Sequence, residues 1–166
     1  MLIYHPAFDA YHCVYRIVAI TNSIPELELA KLRILDYYLC FPAEVAKIEL
    51  PQSHGKFRSI ARNANNKFRG PVSPLRTFRD LEAIQLAATR LLVASKVFDF
   101  EKLETGIVTR TSWLTPPSLK AAANPVATVS PELTEYILTQ LSKLPLGGLG
   151  GLKQRTGLME YRYDSV

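Results

Sequence analysis

Apolar residues recur at helical spacing in several segments of the chain, and the first segment follows Asp9. Asp9 is a residue type suited to a helix N-cap, and Cys13, Val14, Ile17 and Ile20 then fall on one face of a helix. This pattern predicts a first amphipathic helix from about residue 10.

The second predicted helix follows the sequence Ser23-Ile-Pro-Glu26, which has the spacing of a capping box with an early proline. The pattern ends at Pro42, which cannot continue a helix. The apolar stripe of this second helix consists of Leu29, Leu32, Leu35, Tyr38 and Leu39.

A third helix is predicted after Thr77-Phe-Arg-Asp80, which resembles another capping box. It is the most apolar helix of the chain, and we expect it to be central. Its helically spaced positions are Leu81, Ile84, Ala88, Leu91, Leu92 and Ser95. One further helical turn is predicted over Asp99 to Glu104, and the β-branched run that starts at Gly106 is typical of a strand.

The last long helix is predicted from Ser130, an N-cap followed by proline, and stops at Pro145. Residues 146–166 are expected to form a glycine-rich, flexible C-terminal tail, in which LMEYRYDSV suits a closing strand. The predicted buried stripe of the last helix consists of Leu133, Tyr136, Ile137, Leu141 and Leu144.

These elements predict a mostly α fold with a small β element, an α+β class, in a single domain over residues 1–145. A short helical turn and a strand after a central apolar helix suit a winged-helix-like arrangement. At 166 residues the chain is long enough to bury a substantial core.

Positive charge is concentrated in residues 54–80, which contain seven of the twenty Lys and Arg side chains and no acidic residue before Asp80. Frequent Gly, Asn and Pro predict a long basic loop over about residues 51–76, with one helical turn near Ser59. The candidates for binding DNA or an acidic protein partner are Lys56, Arg58, Arg62, Lys67, Arg69, Arg76 and Arg79.

Three phenylalanines interrupt this basic stretch, and they allow two interpretations. Phe57, Phe68 and Phe78 either stack on nucleic-acid bases or turn inward and anchor the segment while Lys and Arg face outward. The sequence leaves three roles open for the stretch: nucleic-acid contact, contact with an acidic protein, or a solvated face.

Aromatic residues supply the candidates for protein contacts. Tyr and Trp are common interface anchors, which makes Trp113 and Tyr136 candidates. Of the adjacent pair on the second helix, Tyr38 is predicted to be in the core, and Tyr37 is the interface candidate.

No motif for an enzyme is found, so we expect no catalytic residue, no metal site and no cofactor. Only two cysteines, Cys13 and Cys40, are present, and no secretion signal or membrane-spanning run is found. These features predict a cytoplasmic protein.

Several segments together resemble the middle components of bacterial ABC three-component systems, relatives of the middle subunit of Lamassu-type defence operons. They are LIYHPAFDAYHCVYRI, LRILDYYLCFP, LEAIQLAATRLLVASKVFDFEKLETGIV and the glycine-bearing tail, and the likeness runs from about Leu2 to Ile137. The resemblance implies a non-enzymatic subunit with winged-helix character. It would lie between an SMC-like ABC ATPase and an effector and take part in sensing foreign DNA. The alternative is a stand-alone winged-helix transcriptional regulator that binds DNA by itself.

Overall fold

The computed structural model describes residues 5–64, 70–112, 117 and 130–162, and this part of the chain is mostly helical with a small antiparallel sheet. Short 3-10 segments lie at Pro6–Phe8, Pro42–Lys47, Gln52–His54 and Leu141–Lys143. The helices are α1 (Ala10–Ser23), α2 (Leu29–Cys40), α3 (Gly55–Asn63), α4 (Pro74–Asp80), α5 (Glu82–Ala94), α6 (Phe100–Glu104), α7 (Pro131–Thr139) and α8 (Leu152–Thr156); the strands are β1 (Glu26–Glu28) and β2 (Ile107–Thr109).

Helix α1 begins as predicted, because the Asp9 carboxylate accepts a hydrogen bond from the backbone N–H of His12 at 3.0 Å. All four residues of the predicted apolar face are buried. Helix α1 packs against α2 and α5, so it forms one wall of the core.

Helix α2 starts later than the capping-box spacing predicted. Ser23 is the last residue of α1, and Glu26–Glu28 form strand β1 instead of a first helical turn. Pro25 follows an extended Ile24, and its carbonyl accepts from the backbone N–H of Arg110 at 2.8 Å. Pairing with the second strand therefore prevails over the local capping signal.

The sheet joins two segments that are distant in sequence. Leu27 lies opposite Val108 in the antiparallel register, and both side chains are buried. On the other side of β2, Phe98 forms a bridge with Arg110. The predicted strand after Gly106 is thus confirmed, as is the turn of helix α6, which Asp99 caps.

Helix α2, not the third predicted helix, is the most central one. Seven of its twelve residues are buried, whereas α5 leaves Leu91 55% exposed. The predicted stripe placed Leu91 inside, but Gln85 and Thr89 take buried positions instead. The Thr77 capping box was also wrong, because Thr77 lies inside α4 and α5 begins only at Glu82.

The long basic loop predicted for residues 51–76 contains helix α3, where one turn near Ser59 was predicted, and the start of α4. Helix α3 extends over nine residues, and α4 begins at Pro74, a residue that is favourable in a first helical turn. Apolar residues spaced four apart, Phe57 and Ala61, bury one side of α3 and stabilise it despite the flanking Gly and Asn.

The C-terminal segment packs on the domain where a flexible linker was expected. Leu152 and Leu158 are buried, and the N–H of Leu152 donates to the carbonyl of Pro145 at 2.8 Å. The predicted helix after Ser130 is confirmed as α7, and of its apolar stripe only Leu144 is not fully buried. Residues 158–162 form no strand, and residues 163–166 of the predicted closing strand lie outside the described part.

Candidate functional site

The basic helix α3 has an inner aromatic side and an outer cationic side. Phe57 and Ala61 are buried, while Lys56 and Arg62 are exposed. The Lys56 ammonium lies 4.7 Å from the centre of the Phe57 ring, a cation–π contact. The inward interpretation of the phenylalanines is therefore confirmed for Phe57.

The Phe57 ring stacks on Tyr136 of α7, with ring centres 4.0 Å apart. His54 meets the same tyrosine edge-on, and its Nδ1 is hydrogen-bonded to the Tyr136 hydroxyl at 3.0 Å. Burial raises the pKa of Tyr136 to about 12, although Arg155 acts in the opposite direction. This aromatic cluster fixes α3 against the last long helix.

Arg58 belongs to the inner structure of this region and not to its free surface. Its Nη2 donates to the carbonyl of Ile48 at 2.9 Å, and its Nε is buried and makes no hydrogen bond with the described residues. A guanidinium held in this way has little freedom to reach a phosphate. Arg58 is thus held by the fold, whereas the neighbouring candidates Lys56 and Arg62 are exposed.

Helix α4 carries two candidate arginines, and both are exposed. Arg76 lies 3.9 Å from the Asp80 carboxylate, one helical turn away, whereas Arg79 has no carboxylate partner among the described residues. Phe78 points inward, and the Arg33 guanidinium lies 4.9 Å above its ring. Both described phenylalanines of the basic stretch are thus anchors inside the fold.

Of the seven predicted cations, Lys56, Arg62 and Arg79 are exposed and have no carboxylate partner among the described residues. We call these three side chains the basic triad. Lys67 and Arg69, together with Phe68 and the interface candidate Trp113, lie outside the described residues.

The two described tyrosines that were predicted as interface residues are both in the core. Tyr37 and Tyr136 are each 1% exposed. Tyr37 packs against Phe41, Phe78 and its neighbour Tyr38, which is buried as predicted. Helix α2 is covered on both sides, so the position of Tyr37 off the main apolar stripe did not bring it to the surface.

A buried polar network links three helices, and it was not predicted. The Nε of Arg16 in α1 donates to Oδ1 of Asp36 in α2 at 2.6 Å, and Nε2 of Gln85 in α5 donates to Asp36 Oδ2 at 2.9 Å. Burial disfavours the charge of Arg16, but Asp36 raises the arginine pKa overall. The sequence signal was the one Lys or Arg of α1, Arg16, and the one acidic residue of α2, Asp36.

The two cysteines lie beside this network. Burial raises the thiol pKa of Cys13 and of Cys40, and the nearby carboxylate of Asp36 raises both further. Thiolates, the reactive form, are thus disfavoured at both positions. Within residues 5–64, 70–112, 117 and 130–162, no three His, Cys, Asp or Glu side chains converge as a metal site, and no helix is long and apolar enough to cross a membrane.

Comparison with known families identifies the chain. The model of the family described as "ABC-three component (ABC-3C) system Middle Component 5" matches residues 2–164, so the chain belongs to this family. This match confirms the resemblance to the middle components of ABC three-component systems. Searches of the curated proteins and of the solved structures found no match.

Proposed function

We propose that this Middle Component 5 protein is a non-enzymatic accessory subunit of an antiphage or antiplasmid defence complex. It connects an SMC-like ABC ATPase with an effector, and the complete cytoplasmic complex senses foreign DNA. The family match supports the role of an accessory component. The basic triad is the observation that supports a binding surface. Its three exposed cations lie on helices α3 and α4, whose aromatic side chains are buried in the fold.

The basic triad suits an anionic partner, either the DNA backbone or an acidic surface of the ATPase. Phe57 and Phe78 are buried, so they are not available for base stacking, and contact through charge alone is sequence-independent. A subunit that contacts DNA in this way recognises the duplex backbone. Selection of foreign DNA then depends on the complex as a whole.

The order of elements supports a winged-helix relationship for the core. Helix α1, strand β1 and helix α2 are followed, after the basic helices, by α5 and then by two antiparallel segments at Phe98 and β2. Strand β2 lies between β1 and the segment at Phe98. Helix α6 connects the segment at Phe98 with β2. In this arrangement α5 occupies the place of the recognition helix.

The alternative, a stand-alone winged-helix regulator, is less well supported because α5 lacks the surface of a DNA-reading helix. The outer side of α5 exposes Ala83, Ala87, Leu91 and Ala94, and Arg90 is its one exposed cation. A helix that enters the major groove needs polar and cationic side chains for base edges and phosphates. The surface of α5 favours contact with protein.

The test is DNA binding by the complete three-component assembly across a salt series. Changing Lys56, Arg62 and Arg79 to Ala is expected to lower the slope of log affinity against log salt by about three units, since each phosphate contact contributes about 0.9. The control changes Arg90, Lys102 and Lys143 to Ala, for the same loss of charge, because these side chains are also exposed and have no carboxylate partner among the described residues. An unchanged slope in the triad variant excludes phosphate contact, and weaker assembly with the ATPase would assign the triad to an acidic protein surface.

A further inference from the structure

Helix α5 exposes an apolar stripe along the side that faces away from α1. Ala83, Ala87 and Ala94 are exposed on this side, and Leu91 beside them is 55% exposed. The opposite side of the helix packs against α1. Residues three and four apart are neighbours on a helix surface, so these four side chains form one continuous stripe, which we call the α5 face.

The exposed charges of α4 and α5 are not balanced. They consist of three arginines and two carboxylates: Arg76, Arg79, Arg90, Asp80 and Glu82. Each carboxylate already has an arginine beside it, because Asp80 lies 3.9 Å from Arg76 and Glu82 lies 3.0 Å from a guanidinium nitrogen of α2. Arg79 and Arg90 are left without a carboxylate partner among the described residues.

Arg79 and Arg90 flank the α5 face on the same side of the helix. Leu81 joins α4 to α5 with right-handed helical angles, and its N–H makes the usual helical hydrogen bond at 3.0 Å. Arg79 therefore lies one turn before Ala83 on the helix surface. Arg90 follows Arg79 after eleven residues, which make about three helical turns, so the two guanidinium groups line one edge of the stripe.

This combination favours a protein helix as the partner. Short alanine side chains let a second helix approach to an interaxial distance of about 8 Å. Duplex DNA is read through polar base edges and phosphates, to which alanine and leucine contribute little. A second copy of the chain is disfavoured because two positively charged faces would repel one another. The unpaired arginines instead favour carboxylates beside the apolar stripe of the partner.

We propose that the α5 face binds an amphipathic helix of the ATPase, in which carboxylates lie along one edge of an apolar stripe. Apolar contacts then supply affinity, and the arginines fix the orientation of the bound helix. This inference rests on the proposed function, in which the ATPase supplies the acidic protein surface.

The test measures the affinity of the full-length chain for the purified ATPase. Ala87→Glu places a carboxylate in the middle of the α5 face, and Arg90→Glu reverses the charge at its edge. We expect each change to weaken binding about tenfold or more. The matched controls are Ala10→Glu and Lys143→Glu, which make the same changes at exposed positions of other elements. The affinity of both controls should stay within about twofold of the wild type.

A photoreactive amino acid at position 87 identifies the segment that covers the α5 face. It should cross-link to an acidic helix of the ATPase, and changing the nearest carboxylate of that helix to arginine should restore binding of Arg90→Glu. Cross-linking to the effector, to DNA or to a second copy of the chain would overturn the assignment. An equal loss of affinity in the variants and in their controls would overturn it as well.

Failure of this inference is distinguishable from failure of the proposed function. A wild-type chain that binds the ATPase, with Ala87→Glu and Arg90→Glu binding equally well, refutes the role of the α5 face and leaves the proposed function intact. If the wild-type chain does not bind the ATPase, both are wrong. Circular dichroism of the variants should match that of the wild type because the substituted side chains are exposed.

Discussion

Arg16 and Asp36 form an ion pair inside the helical core, with 2.6 Å between Nε and Oδ1 and with both side chains almost fully buried. Gln85 donates to the second carboxylate oxygen, and the Arg16 guanidinium also reaches the carbonyls of Pro6 and Ala7. The pair therefore connects α1, α2, α5 and the segment that precedes α1. Charged groups at this depth are tolerated because each has several partners.

Removing one member of this pair should destabilise the fold strongly. Asp36→Ala leaves the Arg16 charge buried without its carboxylate, and we expect a loss of about 3–5 kcal/mol in the free energy of unfolding. Urea denaturation followed by circular dichroism measures the change. The double variant Arg16→Met, Asp36→Leu should lose less than Asp36→Ala, and a larger loss in the double variant would contradict this account of the network.

The contact between Phe57 and Tyr136 should decide whether α3 stays attached to the domain. Phe57→Ala removes a buried ring and is expected to cost about 3–5 kcal/mol. The exposed neighbour Ser59→Ala serves as the control and should change stability by less than about 0.5 kcal/mol. Hydrogen exchange should increase first over residues 55–63 in Phe57→Ala, and equal protection in both variants would contradict the anchoring role.

Stability should fall at alkaline pH because of buried tyrosines. The pKa of Tyr136 is raised by burial to about 12, above the ordinary value of 10.0, so the folded state holds this proton more tightly than the unfolded state. The resulting stabilisation is complete below pH 10 and is lost as the pH rises towards 12. Tyr136→Phe should make the decline of unfolding free energy between pH 10 and 12 shallower, as measured by urea denaturation. An unchanged slope would show that the Tyr136 hydroxyl does not contribute to the pH dependence of the unfolding free energy.

Gly151 lies so close to the Gly147 carbonyl that a side chain at position 151 should disturb the C-terminal segment locally. Gly151→Ala places a methyl group against the Gly147 carbonyl and should open the loop and release α8. Limited proteolysis is expected to cut residues 146–158 faster, with little change in the unfolding of the rest. Gly157→Asn is the comparison, because asparagine tolerates the left-handed φ of 65° at that helix end. Equal resistance of Gly151→Ala and the wild type would refute the steric account.

Much of the fold follows from local sequence patterns, and the errors have identifiable physical causes. The apolar face of α1 and its Asp9 cap were predicted because helical period and N-cap chemistry act over a few residues. Strand β1 was missed because Glu26 to Glu28 gain their partner from residues 107–109, far along the chain. Helix α3 was partly missed because its stability depends on the contact of Phe57 with Tyr136 and not on helix propensity alone.

The sequence predicted where the positive charge of the candidate site lies, but not which of its cations are exposed and which are held inside the fold. Clustered cations identified the region, yet Arg58 and Lys56 are two residues apart and have different roles. The Ile48 carbonyl holds the Arg58 guanidinium, whereas the exposed Lys56 lies over the Phe57 ring. Tyr37 was misplaced because its second side is covered by Phe78, which comes from a distant segment.

The most direct test of the proposed function is co-purification of the wild-type chain with the other two proteins of its system, followed by DNA binding of the chain alone and of the assembly. We predict one stable complex that contains the ATPase and binds DNA, and weak or no binding by the isolated chain under the same salt conditions. An isolated chain that binds DNA as tightly as the assembly, or that fails to join the complex, would contradict the role of an accessory subunit.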